Sequence, residues 1–176
     1  MNPDKTNMTT EDVVDFYNLM SNNEIDIWVD GGFSVDALLG KQLREHKDLD
    51  IAVQWKDVPK LREILDKQGY KQVQEDSKWN FVLVDSRDRA IDIHAFIFDD
   101  QKNVVDGISY PTDSLKGTGM LNGLQVQCIS PEYTVEFLAE WVHKWPEKYI
   151  PAISELCEKF NIELPQEYLE VTKMGD

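Results

Sequence analysis

Hydrophobic and polar residues alternate along the chain with two different periods, which separate predicted helices from predicted strands. A helical stripe follows Thr9, whose hydroxyl is well placed to cap the first turn. Strand-like alternation occupies residues 25–29, and Gly31-Gly32 separates it from a short helical segment, residues 33–39. The chain therefore begins with a helix, followed by a strand, a glycine turn and a second helix.

Strand-like segments dominate the middle of the chain, and helical periodicity returns after it. The later strand-like runs are Gln72–Gln74, Phe81–Val84, Ile91–Phe98 and Leu124–Ile129. A helical stripe occupies residues 58–65, and two more follow Pro131. We therefore predict an α+β fold in which a mixed β-sheet flanked by helices spans residues 1–130. A small C-terminal helical subdomain spans residues 131–176.

Three acidic residues occupy strand positions where a hydrophobic residue would be expected. The period of two in residues 48–53 places Asp48 and Asp50 on one face, and Asp92, between two isoleucines, faces away from the core with His94. An Asp-x-Asp pair alone is more often a solvated strand face or a loop cap. If the two strands are neighbours, however, three carboxylates converge, and they require a cation or bound protons at neutral pH. Oxygen ligands favour Mg²⁺, which fills its remaining positions with water and phosphate, and this points to nucleotide chemistry.

The glycine turn and the polar segment after the second helix supply candidate phosphate ligands. Gly31 and Gly32 would let backbone N–H groups approach a phosphate at a helix N-terminus, although a tight turn is the simpler alternative. Ser34 could donate to a phosphate or cap the same helix. Arg44 could bind a β- or γ-phosphate, or belong to a solvated basic loop. For His46, a hydrogen bond to a neighbouring carboxylate is the favoured interpretation.

The overall charge narrows the classes of partner. The 176 residues include 33 Asp plus Glu and 18 Lys plus Arg, a formal net charge of −15. Such a field repels nucleic acid and anionic membrane surfaces. No apolar run approaches the roughly 20 residues of a membrane span, and the N-terminus lacks the apolar core of a secretion signal. Cys128 and Cys157 show no metal-finger spacing, so we expect a reduced, cytoplasmic protein.

The glycine and aspartate motifs together resemble the signature of a known enzyme family. The segment from Val29 to Gly40, continued from Arg44 to Ile51 and resumed at Ile91–His94, is similar to the small antibiotic nucleotidyltransferases. These comprise the aminoglycoside 2″-adenylyltransferases and the lincosamide nucleotidyltransferases, within the polymerase-β-like nucleotidyltransferase superfamily. The resemblance implies the nucleotidyltransferase fold for the catalytic domain.

The resemblance also implies a role for each matching residue. The implied nucleotide-binding residues are Gly31, Gly32 and Ser34; the implied metal ligands are Asp48 and Asp50; and the implied general base, which also touches metal, is Asp92. Two Mg²⁺ ions and ATP or another NTP are the implied cofactor and co-substrate. The implied reaction is transfer of a nucleotidyl group, AMP for ATP, to a hydroxyl of a small-molecule acceptor.

The acid excess bears on the identity of that acceptor. A cleft that carries Asp92 and is fed by further acids would concentrate a polycation, which favours an aminoglycoside-like acceptor. The acids predicted to feed it are Asp85, Asp88, Asp99, Asp100, Asp106, Asp113, Glu136 and Glu140. A lincosamide, with about one positive charge and a large apolar part, would call for an aromatic cleft instead.

The sequence is also compatible with two alternative functions and with a homodimer. One keeps the chemistry but gives it a protein or tRNA acceptor, and the charge of −15 opposes tRNA. Another is a metal-dependent binding module that has the fold without turnover. Relatives of this size can also form homodimers in which the C-terminal unit of one subunit walls the cleft of the other.

Overall fold

Residues 7–173, which the computed structural model describes, fold into one mixed β-sheet with helices packed against it. The helices are α1 (Thr10–Asn22), α2 (Gly31–Leu39), α3 (Val58–Lys67), α4 (Pro131–Ala139), α5 (Pro146–Phe160) and α6 (Gln166–Lys173). The strands are β1 (Ile27–Asp30), β2 (Asp48–Gln54), β3 (Lys71–Ser77), β4 (Asn80–Val84), β5 (Ala90–Phe98), β6 (Val104–Gly107), β7 (Gly117–Leu121) and β8 (Leu124–Cys128). The predicted α+β class and mixed sheet are confirmed.

The strand order brings three polar strand positions side by side. The sheet runs β3-β4-β5-β2-β1-β8-β7, with β6 paired to β5. Strand β2 lies parallel to β5 and antiparallel to β1, so Asp50 is in register with both Asp92 and Asp30. The register therefore sets three aspartates in one row across the centre of the sheet.

Alternation along β2 and β5 separates the core from this row. Leu49, Ile51, Ile91 and Ile93 are at most 1% exposed and join the core formed with α1, α2, α3 and α5. The alternate positions, including Asp50, face the other side. A hydrophobic face thus fixes the direction of the acidic one.

Helix α2 begins at Gly31, two residues earlier than the periodicity predicts, and ends at Gly40 in the left-handed conformation. It packs directly on β7, where a side chain on Gly119 would lie 2.5 Å from the backbone of Ala37. Strand β7 was not predicted because its two glycines remove the alternation that marks a strand. Strand β6 and helix α6 were also missed because both are short and hold no buried residue.

The C-terminal helices complete the core. Val135, Leu138, Ile153 and Leu156 belong to the same buried cluster as the central strands. The division at residue 130 stays a prediction, since the two predicted units share this core. Among residues 7–173, no helix combines the length and hydrophobicity needed to cross a membrane.

A half-buried arginine, Arg89, ties the first helix to the β4–β5 hairpin. Arg89 donates from Nε to Asp85 Oδ2 at 2.8 Å and from Nη1 to Asp12 Oδ1 at 2.5 Å, and its side chain is 18% exposed. Burial acts to raise the pKa of both aspartates, but hydrogen bonds, including those from Arg89, hold each pKa below its usual value. These ion pairs therefore stabilise the fold above about pH 4, and the stabilisation is lost as the pH falls below that value.

We expect Arg89→Gln to lower the free energy of unfolding by about 1–3 kcal/mol at pH 7. Arg87→Gln is the matched control, because Arg87 is more exposed and reaches the same aspartates only at 3.6 and 3.9 Å. It should cost less than about 0.5 kcal/mol. Urea unfolding at pH 7 and pH 3 measures both effects, and an Arg89 effect that does not shrink at pH 3 would rule out the ionic origin.

Candidate active site

Asp50, Asp92 and His94 form a group of side chains able to hold a cation. One ligand atom from each lies within 4.8 Å of the other two, and all three residues are half-buried. The neighbouring strands on which the sequence prediction depended are confirmed, because β2 pairs directly with β5. Asp48 lies at the exposed start of β2, opposite Ala90, and lines the same cleft from its rim. A metal-binding role for Asp48 stays a prediction.

A hydrogen-bond network joins this group to β1. The Tyr110 hydroxyl donates to Asp30 Oδ2 at 2.6 Å, and Asp30 Oδ1 accepts from the Gly31 N–H at 2.7 Å. His94 Nδ1 lies 3.0 Å from the Tyr110 hydroxyl and 3.6 Å from Asp30 Oδ2, while its Nε2 lies 3.4 Å from Asp92 Oδ1. His94 therefore bridges Asp30 and Asp92.

Asp30, Tyr110 and Asn80 are not among the site residues predicted from the sequence. Asp30 carried a usable signal, because it is a polar residue that ends a buried strand directly before the glycine turn. Asn80, whose Nδ2 donates to Asp92 Oδ1 at 2.9 Å, faces Asp92 only through the β4–β5 pairing. Tyr110 follows β6 and reaches the site from far along the chain, so no local pattern marks it.

The electrostatics of the site show an excess of negative charge. Burial, followed by the charges of Asp48 and Asp30, raises the pKa of Asp50 to about 7. Burial acts to lower the pKa of His94, but hydrogen bonds and charges from Asp30 and Asp92 raise it to about 10. A protonated imidazole has no lone pair for a metal, which favours carboxylate ligands over His94.

The carboxylates fit Mg²⁺ better than a nitrogen-preferring metal. Asp50 and Asp92 supply oxygen ligands, and Mg²⁺ binds through one or two carboxylates while keeping water and phosphate in its other positions. The charge excess around Asp50 is the kind of environment that a divalent cation neutralises.

Because Gly31 has no side chain, the carboxylate of Asp50 can lie against its backbone. The φ of Gly31 is +57°, and a Cβ at this position would lie 2.1 Å from Asp50 Oδ2. Gly40, at the other end of α2, also has positive φ (+72°), but a Cβ there would meet nothing within 4 Å. Both glycines thus adopt a backbone conformation that other residues rarely adopt, but only at Gly31 would a side chain also collide with a neighbour.

We expect Gly31→Ala to lower the free energy of unfolding more than Gly40→Ala does. The Gly40 variant isolates the cost of a left-handed backbone, about 1 kcal/mol, whereas the Gly31 variant adds a displaced aspartate and should exceed it by about 1–3 kcal/mol. Urea unfolding of both variants measures the difference. Equal losses would contradict the close approach of Asp50.

The cleft in front of these residues has a volume of about 280 Å³. One side is formed by Asp30, Asp48, Asp50 and His94 together with the glycine end of α2 and Arg44. The other side comes from α4, α5 and the turn between them. The residues on that second side are Thr134, Phe137, Leu138, Trp141, Lys148 and Tyr149. The cleft therefore combines carboxylates, a helix N-terminus and an aromatic wall.

Comparison with known proteins gives this arrangement a family. A family model described as aminoglycoside-2″-adenylyltransferase matches residues 12–143. The chain belongs to this family. The match includes the glycine turn and all three predicted aspartates, and it confirms the predicted nucleotidyltransferase family and enzyme class.

A curated protein shares part of the sequence, and solved structures share the fold. A lincosamide resistance protein of Staphylococcus haemolyticus is 37% identical over 65 residues, which is 37% of this chain and 40% of that protein. The lincomycin-bound lincosamide adenylyltransferase LnuA superposes with a TM-score of 0.74 at 24% identity, over 86% of this chain and 98% of that one. ANT(2″)-Ia in complex with adenylyl-2″-tobramycin gives 0.72 at 21% identity, over 95% and 97%. The nucleotidyltransferase fold is thereby confirmed.

Arg44 and Ser34 were both predicted to contact phosphate. Arg44 lies at the cleft, and Ser34 does not. Arg44 is half-buried beside Gly32 and donates from Nη1 to the Glu45 carbonyl at 3.0 Å. Ser34 is fully buried, and its hydroxyl donates to the Ile129 carbonyl at 3.4 Å. This position favours anchoring of α2 over the predicted phosphate contact, because the hydroxyl faces the interior.

The eight acids predicted to feed the acceptor cleft do not line it. Asp85 pairs with Arg89 of the β4–β5 hairpin. Asp99 and Asp100 border a separate depression, and Glu136 and Glu140 line another on the opposite face of α4 from the aromatic wall. The acids that line the cleft are Asp30, Asp48 and Asp50, and a contribution of the other eight to the charge around it stays a prediction.

Proposed function

We infer that this protein transfers a nucleotidyl group, AMP when ATP is the donor, to a hydroxyl of a small-molecule antibiotic. The observation that carries the proposal is the adjacency of Asp50 and Asp92 beside the glycine N-terminus of α2. Carboxylates that hold Mg²⁺ next to a phosphate-binding helix end are what nucleotidyl transfer requires. The family match supports the same reaction.

The triphosphate is proposed to lie against α2 and Arg44. The nine-residue helix α2 begins at Gly31, and its positive end faces the cleft. The Gly31 N–H already donates to Asp30, so the N–H of Gly32 is the one proposed to meet a phosphate. Arg44 and Lys148, on opposite sides, add positive charge. These contacts offset the repulsion between the phosphates and the acidic row.

Asp50 and Asp92, with Asp48 at the rim, are proposed to hold one or two Mg²⁺ ions. When bound, Mg²⁺ neutralises charge on the phosphate oxygens and makes the acceptor hydroxyl more acidic. The aspartates supply the oxygen ligands for Mg²⁺ from the strands, and the cleft in front of them is open to substrate.

Asp92 is proposed as the general base. Its Oδ1 accepts from Asn80 and faces His94, whereas Oδ2 has no hydrogen-bond partner among residues 7–173. Oδ2 is then the oxygen that accepts the proton from the acceptor hydroxyl. The hydroxyl oxygen attacks the α-phosphorus in line, the bond to the β-phosphate oxygen breaks, and pyrophosphate leaves.

For the acceptor, we propose an aminoglycoside-like polycation, with a lincosamide as the second candidate. The family match and the three cleft carboxylates support a cationic acceptor. The aromatic side chains Phe137, Trp141 and Tyr149 on the opposite wall, together with the curated lincosamide resistance relative, favour the second.

Parallel kinetics separate the two acceptors. Pyrophosphate release with ATP and Mg²⁺ is measured with tobramycin and with lincomycin, each at low and high salt. The proposal expects a higher kcat/KM for tobramycin and a KM that rises with salt, because screening weakens a charged acceptor's binding. A higher and salt-independent kcat/KM for lincomycin would assign the lincosamide instead.

A homodimer stays a prediction that solution mass can test. Trp141 and Trp145, next to the cleft, are 48% and 38% exposed. Sedimentation equilibrium would distinguish a monomer from a dimer, and Trp145→Ser would weaken a dimer built on this surface.

A further inference from the structure

The Asp36–His46 pair lies buried beneath the glycine end of α2, and the mechanism above does not use it. The two side chains are 2% and 3% exposed, and His46 Nε2 lies 2.6 Å from Asp36 Oδ2. Burying such a polar pair is costly, and hydrophobic residues of similar volume would fill the space at least as stably. The Asp36–His46 pair is therefore a candidate for holding the neighbouring backbone and side chains of the site in a fixed arrangement.

The pair anchors the segment that carries Arg44 on both sides. Asp36 Oδ1 accepts from the Leu43 N–H at 3.1 Å, one residue before Arg44. Two residues after Arg44, the His46 carbonyl accepts from the Met8 N–H at 3.0 Å. Both oxygens of one buried carboxylate thus hold residues 43–46 against α2.

The imidazole also occupies the space beside Gly32. Its ring lies 4.3 Å from that of Phe33, and a Cβ on Gly32 would be 2.3 Å from His46 Nδ1 and 2.9 Å from Arg44 Nη2. The histidine ring, the arginine and the glycine backbone therefore meet at one point, on the border of the cleft.

We propose that Asp36 and His46 are positioning residues for the triphosphate, and that they act through Gly32 and Arg44. The pair sets the guanidinium and the α2 N–H groups at the separation that the phosphates need. This inference rests on the proposed function, since it names residues that serve the same site. It concerns the nucleotide side of the cleft and leaves the acceptor wall unaffected.

The first test compares two substitutions of one residue. His46→Leu removes the hydrogen bond to Asp36, whereas His46→Gln retains a donor in the place of Nε2. We expect the leucine variant to raise the KM for ATP about tenfold or more, with the acceptor KM changed less than about twofold, and the glutamine variant to recover most of the loss. His143→Leu, at an exposed histidine outside the cleft, is the matched control and should change neither constant.

The second test asks whether the effect passes through Arg44. In an Arg44→Ala background, His46→Leu should raise the KM for ATP by less than about twofold, because the group being positioned is gone. An equal effect in both backgrounds, or an equal rise in the acceptor KM, would overturn the inference. If His46→Leu does not fold, the same cycle is measured with Asp36→Asn, which retains the shape of the side chain.

Binding of a non-reactive ATP analogue separates this inference from the proposed function. Calorimetry with α,β-methylene ATP and Mg²⁺ should show affinity reduced about tenfold in His46→Leu and restored in His46→Gln. That result supports the inference even if no acceptor is modified. Unchanged affinity in His46→Leu overturns it even if transfer is observed, and failure of the wild-type protein to bind the analogue overturns both.

Discussion

Asp50→Asn is expected to abolish nucleotidyl transfer while making the metal-free protein more stable at pH 8. Asp50 is the central member of the acidic row, in register with Asp30 on one side and Asp92 on the other. As the proposed metal ligand closest to α2, it should lower kcat by roughly 10³-fold or more when neutralised. The same substitution removes a carboxylate that its neighbours repel.

The stability effect has a defined sign and pH range. Burial and the charges of Asp48 and Asp30 raise the pKa of Asp50 from 3.8 to about 7, so the folded state binds a proton more tightly than the unfolded state does. The free energy of unfolding of the wild-type protein therefore falls as the pH rises from about 4 to about 7. Asparagine cannot ionise, and the variant should be more stable by about 1–3 kcal/mol at pH 8.

Thermal and urea unfolding with and without Mg²⁺ measure this prediction. Saturating Mg²⁺ should stabilise the wild-type protein and leave Asp50→Asn nearly unaffected. Asp100→Asn, at an exposed aspartate outside the cleft, is the matched control and should change neither activity nor Mg²⁺ response. Lower stability of metal-free Asp50→Asn at pH 8 would contradict the charge excess, and retained turnover would remove Asp50 from the mechanism.

Asp92→Asn is expected to remove turnover while leaving nucleotide binding measurable. Asn80 already donates to Oδ1, and an asparagine keeps the shape of the side chain but cannot accept the proton from the acceptor hydroxyl. We expect kcat to fall by about 10²–10⁴-fold. Binding of the ATP analogue with Mg²⁺ should stay measurable, weakened by about tenfold or less, because Asp50 still supplies a carboxylate ligand to the metal. Single-turnover kinetics and calorimetry measure the two quantities.

The nucleotide affinity and the turnover of Asp92→Asn together show whether Asp92 acts as the general base or mainly as a metal ligand. A large loss of nucleotide affinity in Asp92→Asn would show that Asp92 acts chiefly by holding metal. Turnover near the wild-type level would overturn its catalytic assignment. Asp106→Asn, on exposed strand β6, serves as the control for a neutralised aspartate on a strand paired with β5.

The acidic centre could be predicted because it depends on local alternation. Asp50 and Asp92 each lie between hydrophobic residues that face the core, so a period of two fixes their direction. The pairing of β2 with β5 could only be assumed, since α3 and the β3–β4 hairpin intervene. The position of Tyr110 in the site could not be predicted from the sequence either, because its contact with Asp30 spans 80 residues.

Two features of the site depend on packing around a helix, which the sequence does not show. Ser34 lies on the buried side of α2, where its hydroxyl donates to the Ile129 carbonyl. Glu136 and Glu140 line a depression on the other side of α4 from Phe137. Net charge constrains the whole surface, and only the folded chain shows which charges face the cleft.

Mass spectrometry of a panel of antibiotics incubated with the protein, ATP and Mg²⁺ tests nucleotidyl transfer most directly. We expect one acceptor to gain the mass of a single nucleotidyl group, with release of pyrophosphate, and Asp92→Asn to give at least about 100-fold less product at the same time point. Product formed equally by Asp92→Asn, or no modified acceptor from aminoglycosides and lincosamides alike with the wild-type protein, would contradict the proposed function.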